Sequence, residues 1–260
     1  MLVLEFLKLQ AMETSNMRRS LVSWCFLPFL LLPLMASPGS EFGAQDGDAG
    51  LTSVKPGIND FWIGSDIDPL VDRLETESRE IYRERSNLAA LAGPPPGAII
   101  ADVGTGSGFM ALEFAALVGD EGIVYAVDIN PAMLDDVLRK AHAKGITNIR
   151  KVLSPEDSIN LAPNSVDIVF LCDTYHHFEY PEPTMRSIYQ ALRPGGQLVL
   201  VELKRIPGQT EPRMLEHVRA GEEVFKKEIL QVGFELTNSH YPPYLTDNYV
   251  LRFRKPQASH

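Results

Sequence analysis

From residue 98 onward the chain alternates short aliphatic and β-branched runs with helical segments, and this alternation narrows the fold more than any other feature. "AIIADV", "GIVYAVD", "NIRKVL", "VDIVFLC" and "QLVLVEL" read as strands, most of them apolar at nearly every position. Strands with both faces apolar belong in a parallel sheet covered by helices on either side. "GFMALEFAALVG", "PAMLDDVLRKAHAKG" and "EPTMRSIYQALRPGG" supply helices, with Pro131 opening the second and Gly145 closing it. After a helix predicted over 211–232, "FELTNSHYPPY" and "NYVLRFRK" read as an antiparallel pair at one sheet edge. The expected architecture is therefore α/β, a three-layer sandwich around a mostly parallel seven-stranded sheet. The spacing of Leu70, Val71, Leu74, Ile81 and Leu88 predicts one further helix over 68–91, stopped by "GPPPG".

The first strand runs straight into "ADVGTGSG", with Gly104, Gly106 and Gly108 leading to a helix. Glycine lets the backbone turn sharply and lets a ligand approach where a Cβ would clash. A helix start adds free N–H groups. Alone, G-x-G-x-G is also what a tight strand-to-helix turn needs. Its companions sharpen the reading: Asp102 lies two residues before the first glycine, and Asp128 closes the next strand, where a carboxylate can accept two ribose hydroxyls. A dinucleotide-binding turn would carry its third glycine one place later, where this chain has Phe109.

With "DVGTGSG", "AVDIN", "VDIVFLCD" and "LRPGG" in this order and spacing, the chain resembles the class I S-adenosylmethionine-dependent methyltransferases. Within them it is similar to the broad branch of quinone, sterol, phosphoethanolamine and arsenite methyltransferases. The resemblance covers residues 68–255 and implies a Rossmann-like fold, S-adenosylmethionine as cofactor and an N-terminal lid helix. It implies that Gly104, Gly106 and Gly108 form the cofactor loop and that Asp102 lies near the methionine part. Asp128 then takes the ribose, and Ile129 flanks the adenine. Glu156 or Asp157, in "SPEDS", would meet the adenine, or either is a solvated loop acid.

The fourth strand leads into "LCDTYHHFEYPEP". Asp173, Tyr175, His176 and His177 are the candidate catalytic residues, because titratable groups clustered at a strand end mark sites. A single loop histidine is usually structural; two beside an acid and a tyrosine are not so easily dismissed. In the resembled branch this segment faces the methyl acceptor. His177 aligns with a histidine of the phosphoethanolamine-type enzymes and is read as the group that orients the acceptor or takes its proton; His176 is read as support. Adjacent side chains on an extended segment diverge, so no metal site is expected. "VELKR" also lacks the Asp-Asn pair of the metal-dependent catechol-type relatives. With Cys25 and Cys172 as the sole cysteines, a multi-thiol arsenite mechanism is disfavoured. On the predicted lid helix Glu75, Arg79, Tyr82, Arg83 and Ser86 share a face that touches cofactor or is solvated. Phe61 and Trp62 either form an apolar lid or anchor the arm. His217 and Arg219 sit in the region that varies with substrate.

Residues 1–44 read as a targeting segment. Arg18 and Arg19 precede the uncharged run 21–36, which is interrupted by Pro28 and Pro33 and is short for a span of about 20 residues. Small residues follow, and translation starting at Met17 would give an ordinary signal peptide. The alternatives are a membrane anchor, which would associate the protein with a bilayer, or an arm on a cytoplasmic protein. Residues 45–67 read as linker and N-terminal arm, and 68–260 as the methyltransferase domain. A formal charge of -10 repels phosphate backbones, so no nucleic-acid partner is expected. The expected reaction is methyl transfer to a small-molecule thiol or sulfide, amine or hydroxyl. The alternatives are a quinone or lipid acceptor at a membrane, or a cofactor-binding domain without catalysis. The oligomeric state is not legible.

Overall fold

The computed structural model describes residues 51–64 and 66–257. The targeting segment read over 1–44 lies outside the described residues, as does the first part of the linker. Among the described residues no helix is long and apolar enough to cross a membrane.

Seven strands form one sheet: β1 (Ile99–Val103), β2 (Ile123–Asp128), β3 (Ile149–Leu153), β4 (Val166–Cys172), β5 (Leu192–Leu203), β6 (Glu235–His240) and β7 (Asn248–Arg254). Their order is β3-β2-β1-β4-β5-β7-β6. β1 to β5 pair in parallel, whereas β7 runs antiparallel to β5 and β6 antiparallel to β7. The expected fold and its antiparallel edge pair are thus present. β1 has β2 on one side and β4 on the other, so the strand order reverses there and a crevice opens at the carboxyl ends.

Alternation along each strand divides the core into two layers. Ile100, Val124, Phe170 and Val199 pack with Leu88, Phe114 and Val137 on one face. Ala101, Val169, Leu198 and Leu200 pack with Met185, Ile188, Phe225 and Ile229 on the other. The helices behind these contacts are α3 (Arg85–Ala92), α4 (Phe109–Val118) and α5 (Pro131–Ala143) on the first face, with α6 (Pro181–Ala191) and α8 (Glu222–Gln231) on the second. α5 starts where its sequence says it should: the Asn130 side chain accepts from the N–H groups of Ala132 and Met133, and Pro131 follows.

Two expectations need correction. The single helix over 68–91 is three short ones, α1 (Asp68–Leu74), α2 (Glu80–Arg83) and α3. The polar stretch between α1 and α2 leaves the helix so that Arg79 can turn inward to Asp173 (Nη2···Oδ2 3.1 Å). The helix over 211–232 likewise divides into α7 (Pro212–His217) and α8, with Val218 extended at the break and buried. The described part of the linker and arm is fastened to the domain, one of the two alternatives read for Phe61 and Trp62. Val54 N–H donates to the Glu179 carbonyl, Ser53 and Gly57 donate to the Glu179 carboxylate, and Asn130 Nδ2 donates to the carbonyls of Trp62 and Gly64.

Candidate active site

A cavity of about 1050 Å³ opens over the carboxyl ends of β1, β2 and β4. That is slightly above the roughly 300–1,000 Å³ found for small-molecule sites. One wall is the glycine loop. Gly104 has φ +68°, and a Cβ there would lie 2.2 Å from the Thr174 side chain, so only glycine lets the loop close against the segment leaving β4. Gly106 also has positive φ, and its N–H donates to Asp128 Oδ2 (2.9 Å). The other Asp128 oxygen accepts from Asn130 N–H (2.9 Å). Two backbone amides therefore fix this carboxylate at the cavity wall. Burial raises the Asp128 carboxyl above its ordinary range, while those N–H bonds act against the rise. Asp102 lies deeper, 2% exposed, and accepts from Thr105 Oγ1 (2.7 Å). Burial, opposed by the Thr105 bond and reinforced by Asp128, pushes it up to about 7.

The cavity is lined by Asp102, Gly104, Gly106, Asp128, Ile129 and Glu156, six of the eight residues expected to hold the cofactor. Gly108 does not line it. Its Cβ would lie 2.5 Å from Val137, so this glycine serves the close packing of α4 on α5. Of the two candidate acids in "SPEDS", Glu156 lines the cavity and Asp157 does not. A glycine cradle, a carboxylate fixed by that cradle's own amide and a second buried acid fit S-adenosylmethionine: the first for close approach, the second for the ribose, the third for the cationic methionine part.

Asp102 should make cofactor binding pH-dependent. The ionised carboxylate favours the cofactor's ammonium and sulfonium charges, so binding takes up the deprotonated form. Between about pH 8 and about pH 6, affinity is expected to fall by up to ~10-fold as Asp102 protonates. Calorimetry on Asp102→Asn should show weaker binding with that pH dependence gone. A wild-type affinity flat over this range would refute the assignment.

The opposite wall is built by the segment after β4. Asp173 is held by Arg79 and by Asn248 Nδ2 (2.6 Å), with φ +49°. Burial raises its carboxyl, with the Arg79 guanidinium pulling the other way. It braces α2 and β7 against the strand end. Residues Tyr175–His177 form a 3₁₀ turn, closed by His177 N–H to the Thr174 carbonyl (2.9 Å). The sequence reading of an extended, diverging pair is overturned: in this turn the His176 and His177 rings lie side by side, centroids 4.3 Å apart. Tyr175 does diverge. It is fully buried in the layer facing α8, donates to Glu228 Oε2 (2.9 Å) and does not line the cavity.

His176 and His177 both line the cavity. His176 is 2% exposed, and its Nδ1 lies 2.7 Å from Oε1 of the fully buried Glu202 at the end of β5. Glu202 also accepts from the His176 and Leu203 N–H groups. His217, at the end of α7, closes the group, with its Nε2 3.1 Å from His176 Nε2. Lys55 holds that helix end by donating to the carbonyls of Glu216 and His217. Asn59 Nδ2 donates to the His177 carbonyl (3.2 Å), and Trp62 meets the His177 ring edge-on at 5.8 Å. Burial first, then the neighbouring imidazoles and Lys55, lowers His177 to about 2 and His217 to about 4, so both are neutral imidazoles at ordinary pH. His177 Nδ1 is buried with no hydrogen-bond partner among the described residues.

Of the remaining candidates, Arg79 and Trp62 line the cavity, whereas Tyr82 stacks edge-on with Phe109 and Arg219 pairs with Glu228. Phe61 is exposed, and Glu75 pairs with Lys140. Arg83 donates to Glu84 and Ser86 to Glu113, so neither reaches the cavity. The sequence reading missed Glu202 and Asn248. "VELKR" lacks the Asp-Asn pair of the metal-dependent relatives, yet it carries the acid that lies on His176 Nδ1.

Residues 101–200 match a family model described as a methyltransferase domain. The chain is 31% identical over 115 residues to the ubiquinone/menaquinone biosynthesis C-methyltransferase of Shewanella sediminis, covering 44% of this chain and 46% of that protein. It is 26% identical to the same-named protein of Ectopseudomonas mendocina, covering 66% of each. The chain spans about half the length of most such relatives and less than two thirds of the Shewanella protein. Among solved structures, an S-adenosylmethionine-dependent methyltransferase from Aquifex aeolicus superposes with a TM-score of 0.65 at 23% identity, covering 72% of this chain and 97% of that one.

Proposed function

We propose that this chain, a class I S-adenosylmethionine-dependent methyltransferase by its matched domain and its fold, methylates a small polar nucleophile seated against His176, His177 and His217. When bound, S-adenosylmethionine supplies an electrophilic methyl group on a sulfonium. In-line displacement asks the protein mainly for positioning and a dry pocket. Asp128 and the glycine loop hold the cofactor's ribose and backbone side; Asp102 offers charge to its methionine part. The histidine wall holds the acceptor. His177, neutral and weakly basic, orients the acceptor, a better match to its environment than carrying a full proton.

The observation that carries this reading is the imidazole wall itself: three histidines meet on a cavity whose remaining lining mixes polar groups with apolar ones such as Trp62, Met133 and Phe178. The quinone relatives supply the competing reading, in which the acceptor is a ring carbon. Incubation with labelled S-adenosylmethionine and a panel of thiols, hydrosulfide, amines, phenols and quinols separates them. Label in a thiol, amine or hydroxyl product supports the proposal. Label solely in a quinol sinks it, and tight cofactor binding with no labelled product from any acceptor would favour a domain that binds without catalysis.

The N-terminal segment bears on where this happens. We propose that residues 1–44 direct the domain to export or to a membrane surface, on the strength of the basic pair before the run 21–36. Intact-mass analysis of native protein lacking Arg18 supports cleavage; a cytosolic protein retaining Arg18 would overturn both versions.

A further inference from the structure

We propose that His176, His177 and His217 form a binding site for a divalent ion of the zinc type, with one coordination position left open to the cavity. One ring nitrogen from each histidine lies within 4.8 Å of the other two. Tetrahedral ligands about 2.0–2.1 Å from zinc lie roughly 3.3 Å apart, and His176 Nε2 and His217 Nε2 are already at 3.1 Å. Small side-chain rotations would bring the third nitrogen in.

Three independent features favour an ion over a hydrogen-bonded histidine cluster. The first is the Glu202 carboxylate on His176 Nδ1 (2.7 Å). It holds the proton on Nδ1 and leaves the Nε2 lone pair facing His217, the arrangement in which ligating histidines are held by an outer carboxylate. The second is His177 Nδ1, a buried ring nitrogen with no partner among the described residues. A buried polar atom without a partner is costly, and coordination through this nitrogen would remove that cost. The third is scaffolding. The three histidines come from two elements tied together by the N-terminal arm, through Lys55 to the His217 carbonyl (2.7 Å) and Asn59 to the His177 carbonyl. Rigid placement from several elements is what a ligand site requires. Imidazole ligands suit zinc, copper, iron and nickel, and three histidines with an open fourth position are a known catalytic zinc arrangement.

The open position gives the site a use, which rests on the methyl-acceptor reading above. A thiol coordinated there loses its proton to solvent, since metal-bound thiols are deprotonated. The thiolate sulfur then forms the new S–CH₃ bond as the cofactor's CH₃–S⁺ bond breaks, its electron pair staying on the departing sulfur. The anion and the cation are both consumed, and no oxidant or reductant is required. The site therefore selects thiols and hydrosulfide from the broader acceptor class.

The test uses the full chain, stripped with a chelator and dialysed. Zinc titration with metal analysis is expected to give one ion per chain, and cobalt titration the visible absorption of a four-coordinate ion. His217 is half-exposed at the end of a short helix, so His217→Ala should fold, with circular dichroism and cofactor affinity unchanged. Its zinc affinity should fall by more than the ~10–100-fold that losing an outer partner costs; Glu202→Gln should fall within that range. No stoichiometric zinc in the wild type, or equal zinc affinity in wild type and in folded His217→Ala and His177→Ala, overturns the site. Stoichiometric zinc without methylation of any acceptor leaves the site standing and sinks the proposed function. Methylation of a thiol that survives complete removal of the ion sinks the site's role and leaves the function.

Discussion

Asp128→Ala is expected to bind S-adenosylmethionine at least ~100-fold more weakly while keeping its fold. A carboxylate accepting both ribose hydroxyls makes two charge-assisted hydrogen bonds of about 1.5–3 kcal/mol each, and 1.4 kcal/mol is tenfold in affinity. The substitution costs more than those two bonds. Asp128 also accepts from the Gly106 and Asn130 amides, so its loss frees one amide in the glycine loop and another at the start of α5. The loop then loses the tie that presents it to the ligand. Asp128→Asn, which keeps one oxygen acceptor, should recover part of the affinity. The fold should survive because Asp128 ends β2 at a cavity rather than in either apolar layer. Calorimetry finding unchanged affinity in a folded Asp128→Ala would remove the glycine loop as the cofactor site.

Most of the sheet is legible in the sequence because parallel strands buried on both faces are nearly continuous apolar runs. "IIADV", "IVYAVD" and "VDIVFLC" could hardly be anything else. The antiparallel pair was legible for a different reason: it follows the last helix with a proline-containing turn and no crossover helix. What escaped were the helix breaks. The spacing of Leu70, Leu74, Ile81 and Leu88 continues a helical face across 75–79, yet the chain leaves the helix there. Tertiary demands override the local pattern, as Arg79 reaches Asp173 and Glu80 accepts four hydrogen bonds from Thr246, Asp247 and Asn248. No residue within that stretch announces partners so far along the chain.

Six of the eight residues that short consecutive motifs mark out for the cofactor line the cavity, and Gly108 is one of the two that do not. Gly108 was grouped with Gly104 and Gly106, but its missing Cβ makes room for Val137 rather than for a ligand. The acceptor half was only half legible. Two histidines in a row signalled a site, and an extended reading then separated them. A 3₁₀ turn rotates successive residues by about a third of a circle rather than a half, which is why the two rings can share one side. His217 and Glu202 arrive from other elements. The pairing of Cys172 with Val201 sets Glu202 just past the end of β4, beside the turn, and no local pattern encodes that register.

His177→Ala is expected to lower turnover at least ~100-fold near neutral pH, with cofactor affinity little changed. Positioned groups that move or orient a proton typically contribute ~10²–10⁴-fold. A base acting alone would need an imidazole that holds a proton, whereas burial lowers His177 to about 2; orientation of the acceptor, or of an ion holding it, is what remains. The size of the effect should therefore depend on the trio as a unit. Residues acting together are grossly non-additive, so His177→Ala/His217→Ala should be about as slow as either single variant. Two independent contributions would instead multiply. His176→Ala is a poorer probe than its place in the sequence suggests, because it strips the buried Glu202 of its side-chain partner and would mix stability with catalysis. For a thiol acceptor, raising the pH toward about 8.5 should partly restore His177→Ala, because thiolate then forms unaided. An aliphatic hydroxyl acceptor should show no such recovery. If His177→Ala and His217→Ala both turn over at the wild-type rate on the true acceptor, the histidine wall takes no part in the reaction, and the acceptor must be held by the rest of the cavity.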